Sequence, residues 1–540
     1  LLVNFEYLDK MAVSIQLSGP KLFMHNKTIA EMFMVQLENN KGLFGIDCIT
    51  GTEYTYAKLK KDVFAMATAF RNDNLGRGDV VMSVDYGSYE GQVVLLAGLL
   101  IGATVAALDY NLKKKTLAAL VNESRPDVLF CNTSSVHAIA DILNMIEHRP
   151  QLKISTATTV GFVAYSDIVR SDGFSVQPTR SAYDKRWPSA LVFSSGTTGV
   201  PKGVHLSDDA IKAALISFMT LMEEPVENRF MITSPVFWYT GILLLMLGVH
   251  SGKPRLFFSA KPTSEQILCA IDMFKPTFLM TGVAAANDMM SYQMTNGHKY
   301  NIESLITFVV GGSPMRPKLQ KMITENLLQG RIPIKQGYGA SEQGILALWS
   351  MKSDINTVVD GSVGKPAAGV KFKIVDLVTG ESMGPNKEGE IRIKSVSNMI
   401  GYAYDMKKTV NSYDEDGWFK SGDVGYYTND GCLFIVGRIK ELMIYKDIRI
   451  SPIDIETALL SHPAVLDAGV TSRDSFHGDL VIGVVKVKQD QQIKPDQLVS
   501  YVNDRVDEHE QLRGGVIFVE DIPRSPAGKL KRDELKLLVK

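Results

Sequence analysis

Ser194-Ser-Gly-Thr-Thr-Gly-Val-Pro-Lys-Gly203 decides how this chain is read. An apolar run of strand length, Ala190-Leu-Val-Phe193, precedes it, and a helix start is expected near Ser207-Asp-Asp209. Gly196 and Gly199 free the backbone for tight turns. Hydroxyl groups of Ser194, Ser195, Thr197 and Thr198, with unencumbered N–H groups, can surround phosphate oxygens, and Lys202 adds positive charge. The order Gly-x4-Gly-Lys-[Ser/Thr] of a Walker A loop is absent. On composition alone, a flexible surface loop is an equal reading.

Outward from this stretch, apolar runs of strand length alternate with helix-like patterns. Val80–Val84, Thr104–Leu108, Pro126–Phe130, Phe278–Thr281 and Phe308–Val310 read as strands. The alternation predicts parallel sheets covered on both faces. The run from Val93 to Leu108 is too short for a membrane span and reads as a buried helix packed through Gly98 and Gly102. After about Val363 the texture changes. Phe372–Val375, Glu390–Lys394 and Leu433–Val436 alternate polar and apolar, which predicts a smaller, more antiparallel, barrel-like part. A helix near Pro452, strands at Val465–Gly469 and Val481–Val487, and a helix over Pro495–Val506 make an α+β unit of about 100 residues. The expected domains are therefore 1–437 and 438–540.

The 540 residues exceed one domain at roughly 150 residues each. Lysine and arginine total 58 against 59 acidic residues, so no global field attracts nucleic acid. Cys48, Cys131, Cys269 and Cys432 are far apart, which predicts four reduced, buried thiols rather than a zinc or disulfide framework. Leu1–Lys10 lacks a basic, then apolar, leader pattern, and Leu537-Leu-Val-Lys540 is not a Ser-Lys-Leu peroxisomal address. The expectation is a cytoplasmic protein with no membrane span and no obligatory protein partner.

Four further segments accompany the first: Gln336-Gly-Tyr-Gly-Ala-Ser-Glu342, Gly417-Trp-Phe-Lys-Ser-Gly-Asp423, Gly437-Arg-Ile-Lys-Glu441 and Pro526-Ala-Gly-Lys529. In this order and at these separations they resemble the motifs of the adenylate-forming superfamily, which holds acyl-CoA synthetases, firefly-type luciferases and peptide-synthetase adenylation domains. The resemblance covers nearly the whole chain. Leu512-Arg-Gly-Gly515 and the spacing are most similar to insect luciferase-like and 4-coumarate-type ligases.

The resemblance implies a large N-terminal domain with parallel sheets and a mobile C-terminal domain. It also implies ATP, Mg2+ and a small-molecule carboxylic acid as reactants. Lys529 would bridge carboxylate and α-phosphate. Glu342 would reach magnesium, a hard cation that prefers oxygen. Ser341, in place of the usual Thr, would contact phosphate. Nucleotide binding would fall to Ser194, Ser195, Gly196, Thr197, Thr198, Gly199 and Lys202, to Gly312 and Ser313, and to Gly337, Tyr338 and Gly339. Asp423 and Arg438 would meet the ribose. Gly437, Arg438 and Lys440 form the hinge. Phe237, Trp238, Tyr239 and Gly311 line the acyl pocket, with Trp238 as its gate.

The second half-reaction divides the readings. Gly437 stands where luciferases and plant-type ligases have Asp, Ile444 where luciferases have a lysine, and Asp447 where the thiol route has a glycine. Phe237-Trp-Tyr-Thr240 replaces the beetle His-His-Gly-Phe segment. An acyl-CoA synthetase using CoA and a luciferase oxidising a non-beetle luciferin with O2 are both carried forward. A nucleotide-binding pseudoenzyme is the reading from another class; intact Lys202, Glu342, Asp423 and Lys529 oppose it.

Overall fold

The apolar run Val93–Leu108 is not one buried helix throughout; its last part, Thr104–Leu108, is the strand that its apolar pattern predicts. Tyr89–Ile101 is helical, Gly102 turns the chain at φ +82°, and Thr104–Leu108 is a strand. Only Glu90 of that helix is not buried. The expected close packing holds at Gly98, where a Cβ would lie 3.0 Å from atoms of Val81 and Val105. The computed structural model describes residues 16–22, 24, 26–170, 187–194, 201–222, 229–446, 448–475, 478–489, 491–524 and 530–539.

Thr104–Leu108 lies in an eight-stranded sheet. Its parallel part runs from Pro188–Ser194 through Thr104–Leu108, Val80–Val84, Val128–Cys131 and Leu152–Ser155 to Val163–Ala164. Lys202–Ser207 and then Gly401–Tyr402 add antiparallel strands at the other edge. Leu43–Asp47, Arg255–Phe257, Phe230–Ile232, Phe278–Gly282, Thr307–Gly311 and Ile334–Ala340 form the parallel part of a nine-stranded sheet. One continuous apolar core holds residues of both sheets and of the helices Tyr56–Asn72, Tyr89–Ile101 and Tyr239–Ser251.

The smaller part is an antiparallel six-stranded sheet containing Gln16–Ser18, Val370–Val375, Gly389–Ser395, Phe419–Tyr427 and Leu433–Arg438. A last sheet of five strands has its own core, including Val470, Val485, Leu459 and Leu498. Its hairpin Val465–Ser475 and Gly478–Val487 is longer than the apolar pattern shows. The helix expected over Pro495–Val506 stops at Asn503, whose side-chain oxygen accepts from the Leu512 N–H at 2.9 Å.

Two further expectations change. The signature stretch does not lead straight into a helix: the strand Lys202–Ser207 intervenes, antiparallel to Pro188–Ser194, and the helix Asp208–Met222 follows. Of the four cysteines, Cys131 and Cys432 are buried, whereas Cys48 and Cys269 are only partly so; none forms a disulfide. Among the described residues, no helix is long and apolar enough to cross a membrane.

Candidate active site

Lys202 of the signature stretch and Glu342 of the Gln336–Glu342 segment meet at Tyr402. Ser194 closes its strand opposite Lys202 in the antiparallel register. Ser195, Gly196, Thr197, Thr198 and Gly199 lie outside the described residues, as do Asp447 and Lys529. Gly337, Tyr338 and Gly339 lie on the strand Ile334–Ala340; Ser341 and Glu342 form the turn that follows.

The Glu342 turn is anchored from the neighbouring sheet. Its carbonyl accepts from the Met399 N–H at 2.8 Å, and its Oε1 accepts from the Tyr402 hydroxyl at 3.0 Å. Tyr402 is the partner of Val204 in the strand that begins at Lys202. Lys202 Nζ lies 5.7 Å and Lys408 Nζ 5.1 Å from the Tyr402 ring centroid. Partial burial, then the facing Lys408 ammonium and Lys440, draw the Lys202 pKa down to about 8, with Glu342 opposing them. Lys440 of the expected hinge is thus electrostatically near Lys202.

A second cluster centres on Asp423, which is 7% exposed on the strand Phe419–Tyr427. The Tyr338 hydroxyl donates to its Oδ2 at 2.6 Å, and Arg438 Nε lies 3.0 Å from its Oδ1. Asp423 and Arg438 are also register partners, as are Val424 and Gly437. Burial, then Asp423, push the Tyr338 hydroxyl well above its ordinary range. The Asp423 carboxylate raises the Arg438 guanidinium. Tyr338 is therefore tied by its edge to Asp423.

The acyl segment lies at the start of the helix Tyr239–Ser251. Phe237 is buried and packs edge-on against Trp238 at 6.2 Å and Tyr86 at 5.9 Å. The Tyr239 hydroxyl lies 3.1 Å from where a Cβ on Gly344 would stand, which places it beside the Glu342 turn. Gly311 ends the strand Thr307–Gly311, within 3.4 Å of the Gly337 carbonyl measured from a built Cβ. Gly312, at φ +84°, and Ser313 follow on an exposed loop.

Glu342 fits a magnesium ligand: one oxygen holds Tyr402, and the other has no hydrogen-bond or ion-pair partner among the described residues. No cluster of three or more His, Cys, Asp or Glu among them could hold a metal alone. A magnesium ion here would take the Glu342 oxygen together with phosphate and water oxygens.

The sequence reading misses Tyr402, Lys408 and Tyr86. Gly401-Tyr402 is a two-residue edge strand with no periodicity of its own, and Lys408 is part of no quoted motif. Only sheet pairing brings them to Lys202.

A family profile described as AMP-binding enzyme matches residues 41–403, and a second, the AMP-binding enzyme C-terminal domain, matches 454–529. A probable CoA ligase from Humulus lupulus is 28% identical over 497 residues, 91% of this chain and 89% of its own length. A luciferin 4-monooxygenase from Nipponoluciola cruciata is 25% identical over 509 residues, 92% and 91% of the two chains. The structure of the luciferase-like enzyme from the nonluminescent mealworm Zophobas morio matches with a TM-score of 0.72 and 25% identity, covering 79% of this chain and 99% of that one. The chain belongs to the AMP-binding enzymes, the adenylate-forming family that includes CoA ligases and luciferases.

Proposed function

We propose that this enzyme joins a hydrophobic or aromatic carboxylic acid to AMP and then passes the acyl group to CoA. The supporting observation is the meeting of Lys202, Glu342 and Tyr402 beside Tyr239 of the acyl segment. A carboxylate is a poor electrophile, and adenylation supplies its leaving group. A carboxylate oxygen attacks the α-phosphorus; the bond to the bridging oxygen breaks, and its electrons leave with pyrophosphate. The thiol sulfur then attacks the acyl carbon, AMP departs with the C–O bond electrons, and the thiol proton passes to solvent.

Both reactants of the first step are anions. Lys202 offsets their repulsion, and magnesium held at Glu342 would add Lewis-acid stabilisation of the phosphate charge. Asp423 and Arg438 orient the ribose, while Tyr338 fixes Asp423 and lies along adenine. Trp238 gates the acid. We assign residues 438–540 to a mobile domain that delivers Lys529 to the carboxylate and α-phosphate. Lys529→Ala should depress acid-dependent ATP–pyrophosphate exchange far more than ATP binding; an equal loss of both would remove Lys529 from catalysis.

A second reading is oxidation of an adenylated non-beetle luciferin by O2. Asp447, standing where the thiol route has a glycine, favours it over the thioester, whereas Ile444, standing where luciferases have a lysine, opposes a beetle-type oxidation. The two readings share the adenylation step and part at CoA.

A further inference from the structure

Lys202 and Lys408 are held side by side by the fold. The strand Gly401–Tyr402 pairs with Lys202–Ser207 through Val204↔Tyr402 and His205↔Gly401. The short helix Met406–Asn411 is fastened to that strand: Thr409 Oγ1 accepts from the Tyr402 N–H at 2.9 Å and donates to the Asp405 carbonyl at 2.9 Å. Asp405 Oδ1 also accepts from the Lys408 N–H at 2.8 Å. The Lys408 backbone is thereby fixed, and its ammonium and that of Lys202 both lie over the Tyr402 ring.

Neither ammonium has an ion-pair partner among the described residues. The carboxylates that act on them at longer range are Glu342 on Lys202 and Glu123 on Lys408. Lys440 adds a third positive charge. Like charges brought together repel; burial first, and then the Lys408 ammonium, lower the Lys202 pKa. A polyanion relieves that repulsion and gains charge-assisted hydrogen bonds from both lysines. The Asp423–Arg438 cluster is the ribose end of the proposed nucleotide, so the lysine pair marks the opposite, phosphate end.

We propose that Lys408 is a second phosphate-binding residue of this site, acting with Lys202 to hold the pyrophosphate end of the nucleotide. This rests on the adenylation reading above, in which the leaving pyrophosphate carries away the charge of the broken P–O bond. Lys408 belongs to none of the segments on which the family resemblance stands.

The test is equilibrium binding of inorganic pyrophosphate, and separately of AMP, to the full chain with magnesium present. Wild type, Lys408→Met and Lys408→Arg are compared, with ATP–pyrophosphate exchange measured alongside. Lys408→Met should weaken pyrophosphate binding about tenfold, the scale of one charge-assisted hydrogen bond, and leave AMP binding unchanged. Lys408→Arg should restore most of the loss. Pyrophosphate binding within twofold of wild type in Lys408→Met would overturn the proposal, as would an equal loss of AMP and pyrophosphate or a wild type that binds no pyrophosphate. A wild type that binds pyrophosphate through Lys408 but catalyses no exchange with any acid would sink the adenylation reading and leave this assignment standing. Unchanged exchange kinetics in Lys408→Met would do the reverse.

Discussion

Asp423 and Arg438 are paired twice, as register partners on adjacent antiparallel strands and through side chains 3.0 Å apart. The second Asp423 oxygen takes the Tyr338 hydroxyl at 2.6 Å, so the carboxylate is oriented from both sides. Arg438 belongs at once to the proposed ribose site and to the proposed hinge. A domain rotation that moves Arg438 therefore changes the nucleotide site directly.

Removing this carboxylate should be felt by the nucleotide alone. Asp423→Ala is expected to raise the KM for ATP by more than about tenfold and to leave the KM for the acid unchanged. Tyr338→Phe, which leaves Asp423 in place but removes the Tyr338 hydrogen bond, should raise it by about threefold. Steady-state kinetics with each substrate varied in turn check both; a parallel rise in the acid KM would contradict the assignment.

Lys202 gives the site a pH limit. Its folded pKa of about 8 lies below the ordinary lysine value of 10.5, so the ammonium is lost as pH rises through about 8. ATP affinity should fall across that range, since the phosphates lose a counter-charge. The groups facing Lys202 are Lys408, Lys440, Glu342 and Tyr402. In Lys408→Met the fall should shift to higher pH, because a repelling cation is gone. For stability the sign is opposite: the unfolded chain binds the proton more tightly between about 8 and 10.5, so this group favours folding more as pH rises there. Profiles of ATP KM against pH for the two proteins decide the matter.

Arg316 links the two parts of the chain. Its Nη2 reaches the Val436 carbonyl at 3.1 Å, Ser451 Oγ at 2.9 Å and Asp454 Oδ2 at 2.7 Å. If residues 438–540 turn as a unit, the contacts to Ser451 and Asp454 must break, while Val436 stays with Arg316. Arg316→Ala should hasten limited proteolysis within 438–446 severalfold; an unchanged cleavage rate would mean that the contacts do not hold the domain.

The buried helix offers a stability test. A Cβ at Gly98 meets Val81 and Val105 at 3.0 Å, and a larger group has nowhere to go. Gly98→Val should cost about 1–3 kcal/mol, read by urea denaturation.

Trp238 is part-exposed at the start of its helix and packs on Phe237, which in turn packs on Tyr86. Trp238→Ala should redistribute preference among fatty and aromatic acids. An unchanged acid profile would make Trp238 part of the core.

The sequence made the parallel sheets legible because runs such as Val80–Val84 and Phe278–Thr281 are apolar on both faces, as strands buried between helices must be. It blurred Val93–Leu108, where helix and strand are both fully buried and only the left-handed Gly102 separates them. It also hid the Lys202–Ser207 strand, because a glycine-rich stretch and a helix start surround a strand whose partner lies just upstream. In the site, motif order singled out Glu342, Asp423 and Lys202. Tyr402 and Lys408 carry no local pattern, and their place beside Lys202 comes from pairing between strands distant in the chain.

AMP release from the full chain with Mg-ATP and pooled fatty and aromatic acids, with and without CoA under air, tests the account most directly. The account predicts acid-dependent AMP formation that CoA accelerates. AMP formation indifferent to CoA would contradict the thioester step and turn attention to O2; no AMP with any acid would contradict adenylation itself.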